Sequence, residues 1–175
     1  MTLPPVPKRE NERLALLRSY GILDTDPEEE FDAITRAAAH VCGTPIAFIS
    51  LVDQTRQWFK SKIGLEASET PRDISFCAHS LDQSEPLVVQ DAQKDPRFSD
   101  TLLVTSDPGV RFYCGIPLRN DGLGLGSLCV VDVVPRTLTA EQMETLKVLS
   151  DAVLSRLQLR RALQLLDEYR HHTAG

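Results

Sequence analysis

The spacing of apolar residues changes repeatedly along this chain, and each change predicts an element. Leu14, Leu16 and Leu17 among the charges of ENERLALLRS predict a short helix over residues 10–19 that stops near Gly21. Phe31, Ile34, Ala38 and Val41 then recur at helical spacing. Asp26 is placed to cap this second helix, with Pro27 at its first position, Glu28, Glu29 and Glu30 in its electropositive first turn, and Gly43 at its end. The run PIAFISLVD, residues 45–53, reads as a strand. Gln54 and Thr55 turn it into a second strand, RQWFKSKIG, residues 56–64.

Residues 66–109 mix Pro, Asp and Ser with brief apolar pieces. They predict a helical turn over 75–81 and a short strand at Leu87–Val89, and a connection this long in a small domain points to function. VRFYCGIPLR, the turn formers Asn120, Asp121 and Gly122, and GLGSLCVVD ending at Asp132 make a second hairpin. Thr139 and Gln142 form a capping box, with Leu138 and Met143 as its hydrophobic staple, at the start of a long helix. Its stripe of Met143, Leu146, Leu149, Val153 and Leu157 is continued by a shifted set, Leu159, Leu163 and Leu166. That is more apolar face than one domain needs to cover, and it predicts a partner helix.

The order satisfies both hydrophobic patterns as an α+β domain, an antiparallel sheet with the terminal helices on one face and the irregular segment over the other. Residues 1–20 form an N-terminal extension, 21–158 the domain, and 159–175 an extension of the last helix. With 175 residues, 42% hydrophobic and 25% charged, the chain is one globular unit. The 25 acidic against 19 basic residues, net −6, disfavour nucleic acid and anionic membranes as partners. No apolar run approaches the roughly 20 residues of a membrane span, and the N-terminus lacks the apolar middle of a signal peptide, so a cytoplasmic location is expected. Cys42, Cys77, Cys114 and Cys129 include no close pair and read as reduced, mostly buried thiols.

Trp58 and Phe59 alternate across a strand, so one ring faces any pocket on the sheet unless both simply cap core layers. Arg72 and Arg97 have guanidinium groups that fork a carboxylate or phosphate ligand or pair with Asp73, Asp91 or Asp95. Cys77 and His79, with Cys114 or Cys129, offer soft metal ligands, although a buried thiol and a surface imidazole explain them as well. Cys77 at a loop-to-helix junction is also a redox candidate. Arg111 and Tyr113 share one strand face, Phe112, Cys114 and Ile116 the other, and Gly124 and Gly126 leave one face bare for close approach. GLGLGS enters a strand, whereas phosphate loops enter a helix. With no P-loop, nucleophile elbow or His-Glu-x-x-His, no complete catalytic site is expected.

The succession ETPRDISFCAHSL, LVVQDAQKDPRFSD, VRFYCGIPLR and GLGSLCVVDVVPRTLTAEQMETL resembles the GAF domains of bacterial sensor histidine kinases and diguanylate cyclases, over roughly residues 20–165. The resemblance implies a central sheet of five or six antiparallel strands, N- and C-terminal helices on one face and a loop-rich ligand pocket on the other. On that fold the candidate ligand-binding residues are Trp58, Phe59, Arg72, Phe76, Cys77, Asp91, Arg111 and Tyr113. It further implies a sensory role in two-component or diguanylate cyclase signalling. The implied partners are an unidentified small molecule, a second copy of the chain bound through the terminal helices, and an output kinase or cyclase domain, none of which lies in these residues. No cofactor is assigned. Bilin-binding relatives carry a Cys-His pair, whereas Ala78 separates Cys77 from His79, and the Asn-Lys-x-x-x-Phe-x-x-x-Asp-Glu pattern of cyclic-nucleotide binders is missing. A free methionine-R-sulfoxide reductase-like thiol enzyme is the enzymatic alternative, although SFCAH and FYCGI do not match that branch's cysteine pattern. A structural dimerisation module without ligand is the other.

Overall fold

The computed structural model describes residues 2–173. Two helices, α1 (Glu10–Ser19) and α2 (Glu29–Cys42), lead into the strands β1 (Ile46–Val52), β2 (Arg56–Ile63) and β3 (Glu69–Pro71). Two 3-10 turns, Arg72–Ile74 and Cys77–Ser80, precede β4 (Leu87–Val89), the one-turn α3 (Leu102–Thr105), β5 (Phe112–Asn120), β6 (Leu123–Asp132) and the long α4 (Ala140–Thr173). The strands form one antiparallel sheet in the order β3-β2-β1-β6-β5-β4. β1 and β6 lie at its centre, covered on both faces, which is why their sequences are nearly uninterrupted apolar runs.

Alternation sorts the strand residues into two cores. Toward the helices, Ala47, Ile49, Leu51, Trp58, Phe112, Cys114, Leu128 and Val130 pack with Leu17, Phe31, Ala38, Leu146, Val153 and Leu157. Toward the irregular segment, Phe48, Phe59, Tyr113, Cys129 and Val131 pack with Phe76, Leu81, Phe98 and Val104. The terminal helices on one face and the connecting segment on the other are as the sequence predicts.

Local readings hold at most ends and fail at a few. Gly43 closes α2 with φ 63°, and the capping box of α4 is made: Gln142 N donates to Thr139 Oγ1 at 3.1 Å and Thr139 N to Gln142 Oε1 at 2.9 Å. Asp26 does not cap α2. The helix begins at Glu29, and the Asp26 carbonyl accepts from Lys60 Nζ at 2.6 Å, so the segment ahead of α2 is bent toward a buried cation instead. The turn expected over 75–81 is the 3-10 turn Cys77–Ser80, and β3 and α3 are additions to the expected elements. Arg111 lies one residue ahead of β5, its N–H donating to Asp132 O at 2.9 Å. Among the described residues, no helix is long and apolar enough to cross a membrane.

The apolar stripe of α4 divides at Leu157. Leu146, Val153 and Leu157 are buried on the sheet, whereas Leu159, Leu163 and Leu166 are 52%, 54% and 58% exposed.

Candidate functional site

Between the sheet and the irregular segment lies a cavity of about 450 Å³, within the ordinary range for a small-molecule site. Four strands build its floor: Ile46 and Phe48 from β1, Gln57 and Phe59 from β2, Tyr113 from β5 and Val131 from β6. Residues 64–67, Thr70, Phe76, Cys77, Leu103, Asp107, Pro108 and Val110 close it from above. The aromatic rings are mutually braced. Phe48 and Phe59 lie 4.9 Å apart, and Phe76 stacks on Phe98 at 4.0 Å while leaning on Tyr113 at 5.0 Å.

Polar groups are few. Gln57 Oε1 accepts from Ser75 Oγ, whereas Thr70 Oγ1 is buried in the wall without a hydrogen-bond partner. Glu66 and Asp107 are the charged residues in the described lining, which contains no Lys or Arg. A wall of this kind suits a small, largely apolar, neutral or cationic molecule, and an anion would meet acidic side chains and aromatic faces.

A thiol cluster underlies one side of the cavity. Cys77 Sγ is 3.1 Å from Tyr113 Oη and 3.4 Å from Cys129 Sγ, Tyr113 Oη is 3.3 Å from Cys129 Sγ, and Ser50 Oγ donates to Cys77 at 3.1 Å. Burial pushes the Cys77 thiol up, but the hydrogen bonds from Cys129, Ser50 and Tyr113 outweigh it and hold the thiol below its usual range. Burial and the neighbouring sulfur charges push Tyr113 and Cys129 up. On the opposite sheet face burial raises Cys42 to about 11 and Cys114 to about 12.

The eight candidate residues divide. Phe59, Phe76, Cys77 and Tyr113 meet at the cavity. Trp58 does not, because alternation places it in the helix-side core. Arg72 Nη1 bonds Glu10 Oε1 at 2.6 Å and the carbonyls of Asp53 and Gln54 at 3.1 and 3.3 Å, so it ties α1 to the β1–β2 turn. Asp91 lies outside the lining, accepting from Gln93 N and pairing with Lys94 at 3.1 Å. Arg111 is not in the lining, although its partners Val104 and Val110 pack in the same core as Tyr113. Its Nη1 donates to the carbonyls of Val104, Gly109 and Val110, each at 3.0 Å, and braces the cavity roof. Arg97 pairs with Asp95. The His79 ring sits edge-on to Phe98 at 4.8 Å and Cys114 is across the sheet, and among the described residues the four potential metal ligands are not brought together. Sequence reasoning missed Phe48, Gln57, Thr70 and Val110. Phe48 carried a signal, since it alternates with Ile49 in β1, and its ring packs diagonally against that of Phe59 on β2.

Comparison with known proteins agrees with this architecture. The GAF domain family matches residues 26–157. A cyclic di-GMP phosphodiesterase of Pseudomonas aeruginosa is 41% identical over 170 residues, covering 96% of this chain and 29% of the relative, so the chain spans less than a third of that protein. Among solved structures, the GAF domain of PixJ from Thermosynechococcus elongatus in its blue-light-absorbing form is similar at a TM-score of 0.66 and 16% identity, over 90% of this chain and 95% of that one. A domain of a sensor histidine kinase protein from Sinorhizobium meliloti is similar at 0.64 and 17%, over 82% and 99%. At these identities the two structures speak to the fold alone.

Proposed function

The chain belongs to the GAF domain family, and on that premise we propose that it is a sensory module. A small molecule occupies the cavity and biases the overlying segment, and α4 carries that bias to a second copy of the chain and to an output domain. The observation that carries this reading is the cavity itself, a braced aromatic chamber of about 450 Å³ with one unpartnered hydroxyl. The chain itself performs no turnover in this reading. The relative that hydrolyses cyclic di-GMP suggests an output domain acting on that messenger. The messenger is a poor occupant of the cavity, because its phosphates would face Glu66 and Asp107 with no Lys or Arg among the described lining residues.

Native mass spectrometry of the gently purified chain tests the proposal. The expected species is a dimer that retains one small apolar molecule per chain, and the retained mass is lost when Phe59→Arg places a cation in the floor. A folded dimer that carries nothing, before and after incubation with a metabolite extract, would replace sensing with a purely structural role.

A further inference from the structure

Two of the four cysteines have left the ordinary condition of isolated core thiols. Cys77 lies in the 3-10 turn that roofs the cavity and lines it, and Cys129 lies on β6 beneath. Their sulfurs are 3.4 Å apart, so an approach of about 1.4 Å separates them from a disulfide at about 2.05 Å. Ser50 and Tyr113 surround the same sulfur with hydroxyl groups. We infer that Cys77 and Cys129 form an oxidisable thiol pair, which an organic hydroperoxide admitted to the apolar cavity converts to an intramolecular disulfide.

The chemistry balances without further reactants. Cys77 sulfur attacks the terminal oxygen of the hydroperoxide, the O–O bond breaks, and the departing alkoxide takes the Cys77 proton to leave as an alcohol. Cys129 sulfur then attacks the resulting sulfenic acid, the S–O bond breaks, and hydroxide leaves with the Cys129 proton as water. Two thiols are oxidised by two electrons and the peroxide is reduced. Cys77 lines the cavity and Cys129 does not, which assigns the attacking and resolving roles, and the lowered Cys77 thiol agrees with them. Cys42 and Cys114, in the helix-side core and firmly protonated, are spectators. The product staples the cavity roof to the sheet. The inference uses the cavity as an entrance and does not depend on a signalling ligand.

The test is intact mass and peptide mapping of the full chain treated with a modest excess of cumene hydroperoxide, with near-UV circular dichroism as the check on folding. The expected result is loss of two hydrogens, a Cys77–Cys129 crosslinked peptide and reversal by dithiothreitol. Cys129→Ser should instead gain one oxygen at Cys77 that dimedone traps, Cys77→Ser should do neither, and Cys42→Ala with Cys114→Ala should behave as the parent. A folded chain that stays reduced, a crosslink that maps elsewhere, or oxidation of Cys77→Ser at the parent rate would overturn it.

Discussion

Arg160 Nη1 lies 3.2 Å from both carboxylate oxygens of Glu28, joining α4 to the residue just ahead of α2. The same carboxylate pairs with Lys60, whose Nζ also donates to Thr25 Oγ1 at 2.8 Å and to the Asp26 carbonyl at 2.6 Å. Lys60 follows Phe59 in β2, so the floor of the cavity and the start of α4's outer half are separated by one strand residue and one shared carboxylate. This is a continuous physical connection of the kind that coupling between a site and a helix needs, and its use is tested by variants rather than by proximity.

Breaking its two ends should have unequal costs. The Lys60 side chain is fully buried and serves three acceptors, so Lys60→Ala should lower stability by about 2–3 kcal/mol in urea denaturation. Arg160 and Glu28 are partly exposed, 27% and 40%, and Arg160→Ala should cost only about 0.2–1 kcal/mol. A change in ligand affinity on Arg160→Ala, with stability almost unmoved, is the result that marks coupling.

Acid stability should depend on Glu10. Its carboxylate accepts from Arg13 Nε at 2.7 Å and Nη2 at 2.9 Å and from Arg72 Nη1 at 2.6 Å. Burial pushes the carboxyl up, but the two guanidinium groups outweigh it and hold it at about 2, against an ordinary 4.5. Between those values the unfolded chain binds the proton and the folded chain does not. The contribution is therefore full above pH 4.5 and is lost as pH falls toward about 2. Glu10→Gln should cost about 1.5–3 kcal/mol at pH 7, and its stability should lack most of the fall over the acid window that the parent shows.

What the sequence made legible follows from what periodicity measures. α2, the two hairpins and the capped start of α4 were readable because burial alternates regularly over many residues there. β3 and α3, three and four residues long, are too short to show a period, and β3 exists only through its pairing with β2, Arg56 to Pro71, Gln57 to Thr70 and Trp58 to Glu69. Within the site, parity showed that Trp58 and Phe59 part company but not which faces the cavity, since that depends on β1 pairing. The arginines misled for a different reason. Loops leave carbonyls without strand partners, and Arg72 and Arg111 satisfy those of Asp53, Gln54, Val104 and Gly109 rather than a ligand. Gly124 is a place of close approach, as its position in the strand predicts, and its occupant is the Leu81 carbonyl, which an added Cβ would overlap.

Thr70 separates the ligand's contribution from the fold's. Its hydroxyl is buried and unpartnered, so Thr70→Val, which keeps the shape, should leave the empty protein unchanged or more stable by up to about 1 kcal/mol. A ligand that uses the hydroxyl should bind about tenfold more weakly, a difference of about 1.4 kcal/mol. Thermal melting with and without the molecule found by native mass spectrometry reads both quantities. Equal affinity in parent and variant would place the ligand's polar group elsewhere in the cavity.

The outer half of α4 is the remaining test of the sensory reading. Leu157 is buried on the sheet, but Leu159, Leu163 and Leu166 follow at one-turn spacing with more than half of each exposed. The helix nevertheless continues to Thr173. A helical tail beyond Leu157 is near the ~12–15 residues at which an isolated helix is marginal in water, so packing against another helix is the natural source of its order. Each leucine removed from water contributes about 1.5–3 kcal/mol, and a twofold arrangement counts each one twice. Replacing Leu163 and Leu166 with Lys should therefore convert a dimer to a monomer in sedimentation equilibrium. The melting of the domain should be little changed, because neither side chain belongs to the buried core. A parent chain that sediments as a monomer at every concentration would remove the second copy from the proposal and leave α4 as a connector to an output domain alone.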